Sequence, residues 1–193
     1  MDLILIAGIV IAIIVIIIAI ALIAIYNGLV IKQKRVNNAW AQIDVQLKRR
    51  ADLIPNLIET VKGYAKFEKK VLTQVTEART AIMGAKTPAE SAKGENMLAG
   101  ALKTIFAVAE AYPKLQASEN FKSLQEEFAT TENKIAYARQ FYNDSVMQFN
   151  TAIAVFPNNV FAGMFGMGKP REYFEVKETA AKKPVKADFS DLA

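Results

Sequence analysis

Two hydrophobic patterns meet near residue 25 of this chain. From Leu3 to Ile25 the segment LILIAGIVIAIIVIIIAIALIAI contains no charged or polar side chain. As a helix it is about 34 Å long, enough to cross a bilayer core of about 30 Å. Beyond it, apolar residues recur at alternating steps of four and three. The series runs Val36, Trp40, Ile43, Leu47, Arg50, Ile54, Leu57, Val61, Tyr64, Glu68, Val71, Val75, Ala78 and Ile82, and only Arg50 and Glu68 break it. Such spacing places one apolar stripe along a helix and predicts a seam packed against other helices.

Pro55 interrupts this stretch, yet the phase of the seam is the same on both sides of it. A loop normally resets the register, so the pattern predicts one long helix that bends at the proline. A short break is the alternative, with Asp52 as N-cap and Pro55 at the third helical position, where its missing N–H costs nothing. The helix ends near MGAKTPAES, where Thr87, Pro88 and Glu90 form a start signal for a second helix reaching about Ala111. Pro113 stops that helix, and Ser118 is a candidate cap for a third. On the third, Phe121, Leu124, Phe128, Thr131, Ile135, Ala138, Tyr142, Ser145, Phe149, Ala152 and Phe156 repeat the alternation until Pro157.

The expected fold is all-α: an N-terminal transmembrane helix followed by an elongated antiparallel bundle of three long helices, the first kinked near Pro55. The chain divides into an anchor (1–25), the bundle (26–156), an apolar and aromatic flap (157–176) and a polar, disordered tail (177–193). The three helices differ in length, at roughly 87, 36 and 55 Å. The membrane-proximal part of the first is therefore expected to be unpaired, with Val36 and Trp40 exposed. An uncovered seam predicts self-association through Val36, Trp40, Ile43, Leu47 and Arg50, and hence a homo-oligomer. A charge on the seam is costly unless paired. Glu68 is too far from Arg50 along one helix, so the partner must come from another helix or another chain.

Composition narrows the chemistry. The 193 residues include no cysteine and no histidine. That excludes disulfides, a cysteine nucleophile, a Cys/His zinc site and a histidine base. AGMFGMGKP, from Ala162, has neither Walker nor Rossmann spacing. Bundle di-iron sites need Glu-x-x-His pairs, so Glu126, Glu127 and Glu132 are expected on solvated faces. No enzyme activity and no cofactor are expected. Although the net charge is +5, basic residues do not interleave with aromatics as in a nucleic-acid module, and no nucleic-acid partner is expected.

The basic residues instead follow the apolar run. Lys32, Lys34 and Arg35, then Lys48, Arg49 and Arg50, contrast with Asp2 before it. The positive-inside rule puts the N-terminus outside and the bulk of the chain in the cytoplasm. Ala19-Ile20-Ala21 imitates a signal-peptidase site, but the preceding segment has no basic residue and the apolar run is too long for a signal peptide. A permanent single-pass anchor is the expectation. Lys32, Lys34 and Arg35 are candidates for contact with anionic lipid, at roughly 1 kcal/mol each. Val160, Phe161, Met164 and Phe165, in the glycine-rich segment without helical period after Pro157, are candidates for membrane or partner contact.

Several longer stretches carry a resemblance. They are YNGLV after the apolar run, AWAQIDVQLKRRADLIPNLIETVKGYAKFE from Ala39, PKLQASENFKSLQEEF from Pro113, ARQFYNDSVMQFNTAIAVFP from Ala138, and REYFE from Arg171. Together they resemble the LemA family of bacterial single-span membrane proteins. Phe67 departs from it, since many relatives carry histidine there. The resemblance implies an anchor in the bacterial inner membrane followed by a long helical bundle. It implies no established enzymatic activity, and a magnetosome-associated branch is linked to membrane organelle formation. Two functions are expected in turn. One is a non-enzymatic scaffold that contacts membrane lipid, self-associates and organises or shapes the membrane. The alternative is a membrane-tethered adaptor that recruits a protein partner, such as a membrane protease or signalling component, through Phe161 or Phe165 at the distal end of the bundle.

Overall fold

A computed structural model describes residues 3–62 and 69–175 of the chain. Among these residues every regular element is helical. Helix α1 (Leu3–Asp52) carries both hydrophobic patterns on one uninterrupted rod. Each described side chain from Leu3 to Ala21 is exposed, so this length of α1 has no protein partner. It is long and apolar enough to cross a membrane.

Helix α2 (Ile54–Lys62) follows after a single non-helical residue, Leu53. Pro55 is the cause. A helical residue 55 would donate its N–H to the carbonyl of Ala51, and proline has none to give. The freed Ala51 carbonyl accepts instead from Arg79 Nε at 3.1 Å. The helix is therefore interrupted for one residue before Pro55, with the lost hydrogen bond replaced by a side chain.

The same bond corrects the expectation of one helix running on to residue 82. Residues 28 apart would be separated by about 42 Å in a continuous helix. Helix α3 (Lys69–Gly84) must instead run back antiparallel to α2 and the end of α1. Val71, Val75, Ala78 and Ile82 are buried as the seam predicts, but on a separate limb. Tyr64, Phe67 and Glu68 lie outside the described residues.

Helix α4 (Pro88–Ala109) starts where its cap signal stands: Thr87 Oγ1 accepts from the Glu90 N–H at 3.2 Å, and Glu90 Oε2 accepts from the Lys86 N–H at 2.7 Å. It packs tightly on α3 at Gly94, where a Cβ would come within 3.0 Å of Ile82. A short turn of helix, α5 (Pro113–Gln116), reverses the chain into α6 (Glu119–Ala154), about 54 Å long. Ser118 is the residue before α6, though its side chain makes no capping bond.

The bundle thus has four antiparallel limbs rather than three: the second half of α1 with α2, then α3, α4 and α6. Its core includes Leu57, Val75, Leu98, Ile105 and Ile135. Phe106 of α4 meets Phe121 and Phe128 of α6 edge-on, at 6.0 and 6.2 Å between ring centres. Toward the apolar end the α1–α6 pair continues, and here the expected bare seam is also corrected. Val36, Ile43 and Leu47 are buried, and the half-buried Trp40 packs on Tyr142 and Phe174 at 5.5 and 6.3 Å. The longer α6 returns far enough to cover the seam, which leaves it no free face for a second copy.

After Pro157 the segment read as aperiodic forms a helix, α7 (Asn158–Met164). Gly166, at φ +70°, turns the chain out of it in a conformation that suits glycine. Residues 167–175 then run as a strap without helix or strand. The tail from residue 176 lies outside the described residues.

Candidate functional site

The candidates for membrane contact come together at the end of the apolar run. Helix α6 runs down α1, with Tyr142 beside Trp40. Twelve residues further along α6, at Ala154, its end stands roughly level with residue 28 of α1, since both helices rise about 1.5 Å per residue. Helix α7 folds under this end. The Phe165 ring meets Tyr26 edge-on at 5.2 Å and stacks on Phe161 at 6.5 Å. Phe161 and Phe165 are half-buried against α1, whereas Val160 and Met164 are exposed. This places the pair at the end of the bundle next to the apolar run and corrects their expected distal position. Lys34 and Arg35 are exposed and Lys32 half-exposed on the next turns of α1. The Arg35 guanidinium lies over the Phe141 ring, 5.3 Å from its centre, a cation–π contact that leaves the charge at the surface.

The strap is fastened by a pair of asparagines that the hydrophobic pattern does not reveal. Asn143 Nδ2 donates to the Phe174 carbonyl at 3.1 Å, and its Oδ1 accepts from the Phe174 N–H at 2.9 Å. Asn150 makes the same two bonds with Arg171, at 2.9 and 2.8 Å. The register is geometric. Seven helical residues rise about 10.5 Å, and three extended residues span about 10 Å. Asparagines two turns apart on α6 therefore match Arg171 and Phe174 running antiparallel to them. Between them the Tyr142 hydroxyl donates to the Glu172 carbonyl at 2.8 Å, and burial raises the pKa of this phenol. The clamp holds Phe174 over Trp40, closing the lower core.

Deeper in the bundle, Arg50 is 4 % exposed and forms ion pairs with Glu95 of α4 and Glu132 of α6. Its partners come from other helices of the same chain, and Glu132 is not on a purely solvated face as expected. Burial raises the pKa of Glu95; the Arg50 charge opposes that shift and the nearby Glu132 charge adds to it. Glu132, half-exposed, lies nearer water. Arg50 Nε and Glu95 Oε2 are buried without a hydrogen-bond partner. One guanidinium thus joins three helices at a single level, which favours one packing arrangement over its neighbours. It brings no nucleophile near a base. Among the described residues no group of three or more acidic side chains is placed to hold a metal ion.

Comparison with known proteins identifies a family. The LemA family profile matches residues 39–189. Protein LemA of Metamycoplasma hominis is 28% identical over 140 residues, covering 70% of this chain and 63% of the relative. Magnetosome protein MamQ 2 of Paramagnetospirillum magneticum is 26% identical over 178 residues, covering 79% of this chain and 65% of the relative. Magnetosome protein MamQ of Magnetospirillum gryphiswaldense is 23% identical over the same length, with the same coverage. The matches span just under two thirds of these relatives. With a family match over most of its length, the chain belongs to the LemA family.

Proposed function

We propose that this protein is a non-enzymatic, membrane-anchored helical scaffold. The observation that supports it most is the continuity of α1, which passes from a fully exposed apolar length into a buried bundle seam without a linker. A helix shared in this way couples the orientation of the bundle to that of the anchor, which a flexible tether would not do. The anchor crosses the inner membrane once. Lys32, Lys34 and Arg35 hold the bundle on the cytoplasmic side, and the N-terminus faces outward. Two relatives named as magnetosome proteins support a membrane-associated role, which we extend to organising membrane.

Scaffolding requires copies to associate. Because α6 covers the seam of Val36, Trp40, Ile43 and Leu47, and Arg50 is paired internally, association uses outer surfaces: the apolar span, and exposed Ile31, Val45 and Tyr137 on the α1–α6 face. The chain has no cysteine, so Val45→Cys and Tyr137→Cys place single thiols on that face. Crosslinked dimers in native-like membranes, with larger particles after gentle extraction, are the expected result. A strictly monomeric particle that leaves reconstituted vesicles unchanged would rule the scaffold out.

The membrane-tethered adaptor is the second reading. It is supported by a groove between α4 and α6, lined by Leu102, Phe106 and Phe128 and reaching Arg50. In that case one dominant foreign protein, rather than a second copy, should be captured by crosslinking from this groove.

A further inference from the structure

We propose that the α6–α7 corner is a second membrane attachment, a foot that lies in the interfacial layer of the same bilayer leaflet from which α1 emerges. The proposal rests on α1 being a membrane span and adds a contact that the span alone does not require.

The apolar run ends at Ile25, and the Tyr26 ring touches Phe165 at 5.2 Å. Tyrosine at this position is the usual marker of the membrane–water interface. Helix α7 is therefore fixed at the level where α1 leaves the hydrocarbon, and not elsewhere on the bundle.

No charged residue occurs between Asp144 and Lys169, although this stretch includes the whole corner. Four large apolar side chains are exposed at the corner: Phe156 is 82% exposed and Met164 76%, with Val155 and Val160 exposed beside them; the exposed polar ones are Thr151 and Asn159. These four stand next to one another on a turn and a short helix, and among the described residues no protein group covers them. A contiguous apolar patch of this kind marks an interaction surface. Short apolar faces of this sort settle about 5–10 Å into the headgroup boundary.

Basic residues border the patch. Lys169 and Arg171 are exposed just beyond α7, and Lys32, Lys34 and Arg35 stand on α1. The α1 residues are six to nine positions above Tyr26, or about 9–13 Å. Each headgroup layer is roughly 5–8 Å thick, so lysine and arginine ammonium and guanidinium groups reach anionic headgroups from this height while the apolar side chains point below. An apolar base under a basic collar fits a lipid surface better than a protein partner, which would not need the collar at one fixed height.

The full-length chain in phosphatidylcholine–phosphatidylglycerol vesicles tests this. Phe156→Cys, Val160→Cys and Met164→Cys each carry an environment-sensitive fluorophore, with Ile14→Cys marking the span and Ser123→Cys, exposed toward the far end of α6, the water-exposed bundle. Emission of the lone tryptophan, Trp40, checks that each variant is folded. The expected result is a blue shift at the three foot positions, with quenching by acyl-brominated lipid and protection from aqueous iodide. Ser123→Cys should show the opposite. Quenching at Ile14 by brominated lipid together with iodide-accessible foot labels overturns the foot while leaving the span. Foot labels shielded from both quenchers also overturn it, because protein then covers the patch. If Ile14 itself is not reached by brominated lipid, the span and the foot both fall.

Discussion

The two halves of α1 are built from the same kind of residue but solvated differently. From Leu3 to Ala21 the helix is apolar on every side, and each described side chain is exposed. From Leu29 to Leu47 only one stripe is apolar, and Leu29, Val36, Ile43 and Leu47 on that stripe are buried. A helix apolar all round needs an apolar solvent, whereas a one-sided helix needs neighbours. The backbone is continuous, so the change in solvent is written only in which side chains are polar. That difference distinguishes a length apolar enough to cross a membrane from a bundle limb whose apolar stripe packs on α6.

The largest effect that would sharpen the contrast concerns Arg50. Arg50→Leu leaves Glu95 buried without its partner and should cost the bundle about 3–5 kcal/mol. Adding Glu95→Leu to it should restore much of the loss, since a buried ion cluster is replaceable by apolar packing. Denaturant melts of the detergent-solubilised protein would show both. A loss for Arg50→Leu with no recovery in the double variant would mean that Glu132 carries more of the cluster than its exposure suggests.

The next effect compares one substitution at two places on α1. Ile43→Ala removes a fully buried side chain and should destabilise the bundle by about 2–5 kcal/mol. Ile14→Ala should leave the bundle's melt unchanged, because nothing in the bundle touches it. Equal losses at the two sites would break the comparison.

How much of this could be read from sequence depended on where the deciding partner lay. The seam was legible because its signal is local and periodic. The reversal between α2 and α3 was not, because both limbs continue the same four–three phase and the register test cannot distinguish a bend from a return. One local signal did exist: Lys62 is followed by Gly63, a basic last turn and a glycine, which is an ordinary helix stop. Four limbs instead of three shorten the upper bundle, so α6 overlaps the membrane-proximal half of α1 and removes the bare seam. The asparagine clamp was hidden because its partners are backbone atoms of the remote Arg171 and Phe174. The position of α7 depends on matching α1 and α6 in register, which the pairing of Arg50 with Glu132 sets and no single segment reveals.

Two smaller effects follow from these missed contacts. Asn143→Ala removes two hydrogen bonds to Phe174 and should loosen the strap by about 1–3 kcal/mol, seen as faster amide exchange at Phe174 and a shift in Trp40 emission. Glu95 should give the bundle a pH dependence of defined sign. Its pKa in the folded chain is raised above the ordinary 4.5, so the folded state holds the proton more tightly than the unfolded state does. The contribution is complete below pH 4.5 and is lost as pH rises through the raised value. Glu95→Gln should flatten that decline while keeping a hydrogen-bond acceptor for Arg50. An unchanged slope in the variant would place the effect on another group.

Pro55→Ala should have the smallest effect. The new N–H would compete with Arg79 for the Ala51 carbonyl, so the bundle should keep its fold and change by less than about 1 kcal/mol. Arg79→Ala should cost about 1 kcal/mol in the native chain and less in the Pro55→Ala background, where the helix supplies its own donor. Equal losses in both backgrounds would mean that the side chain does not substitute for the proline's missing bond.

The central claim, one helix passing from lipid into the bundle, is most directly tested by a cysteine scan along α1 in sealed vesicles with a membrane-impermeant thiol reagent. Continuous protection from Leu3 to Ile25 is the predicted result. Beyond it, protection should recur along the packed stripe, at Leu29, Val36, Ala39, Ile43, Leu47 and Ala51, with exposed Asn37 and Asp44 reacting from the bundle's side of the membrane. Protection at helical intervals within 3–25, or labelling of Ile14 without detergent, would contradict it.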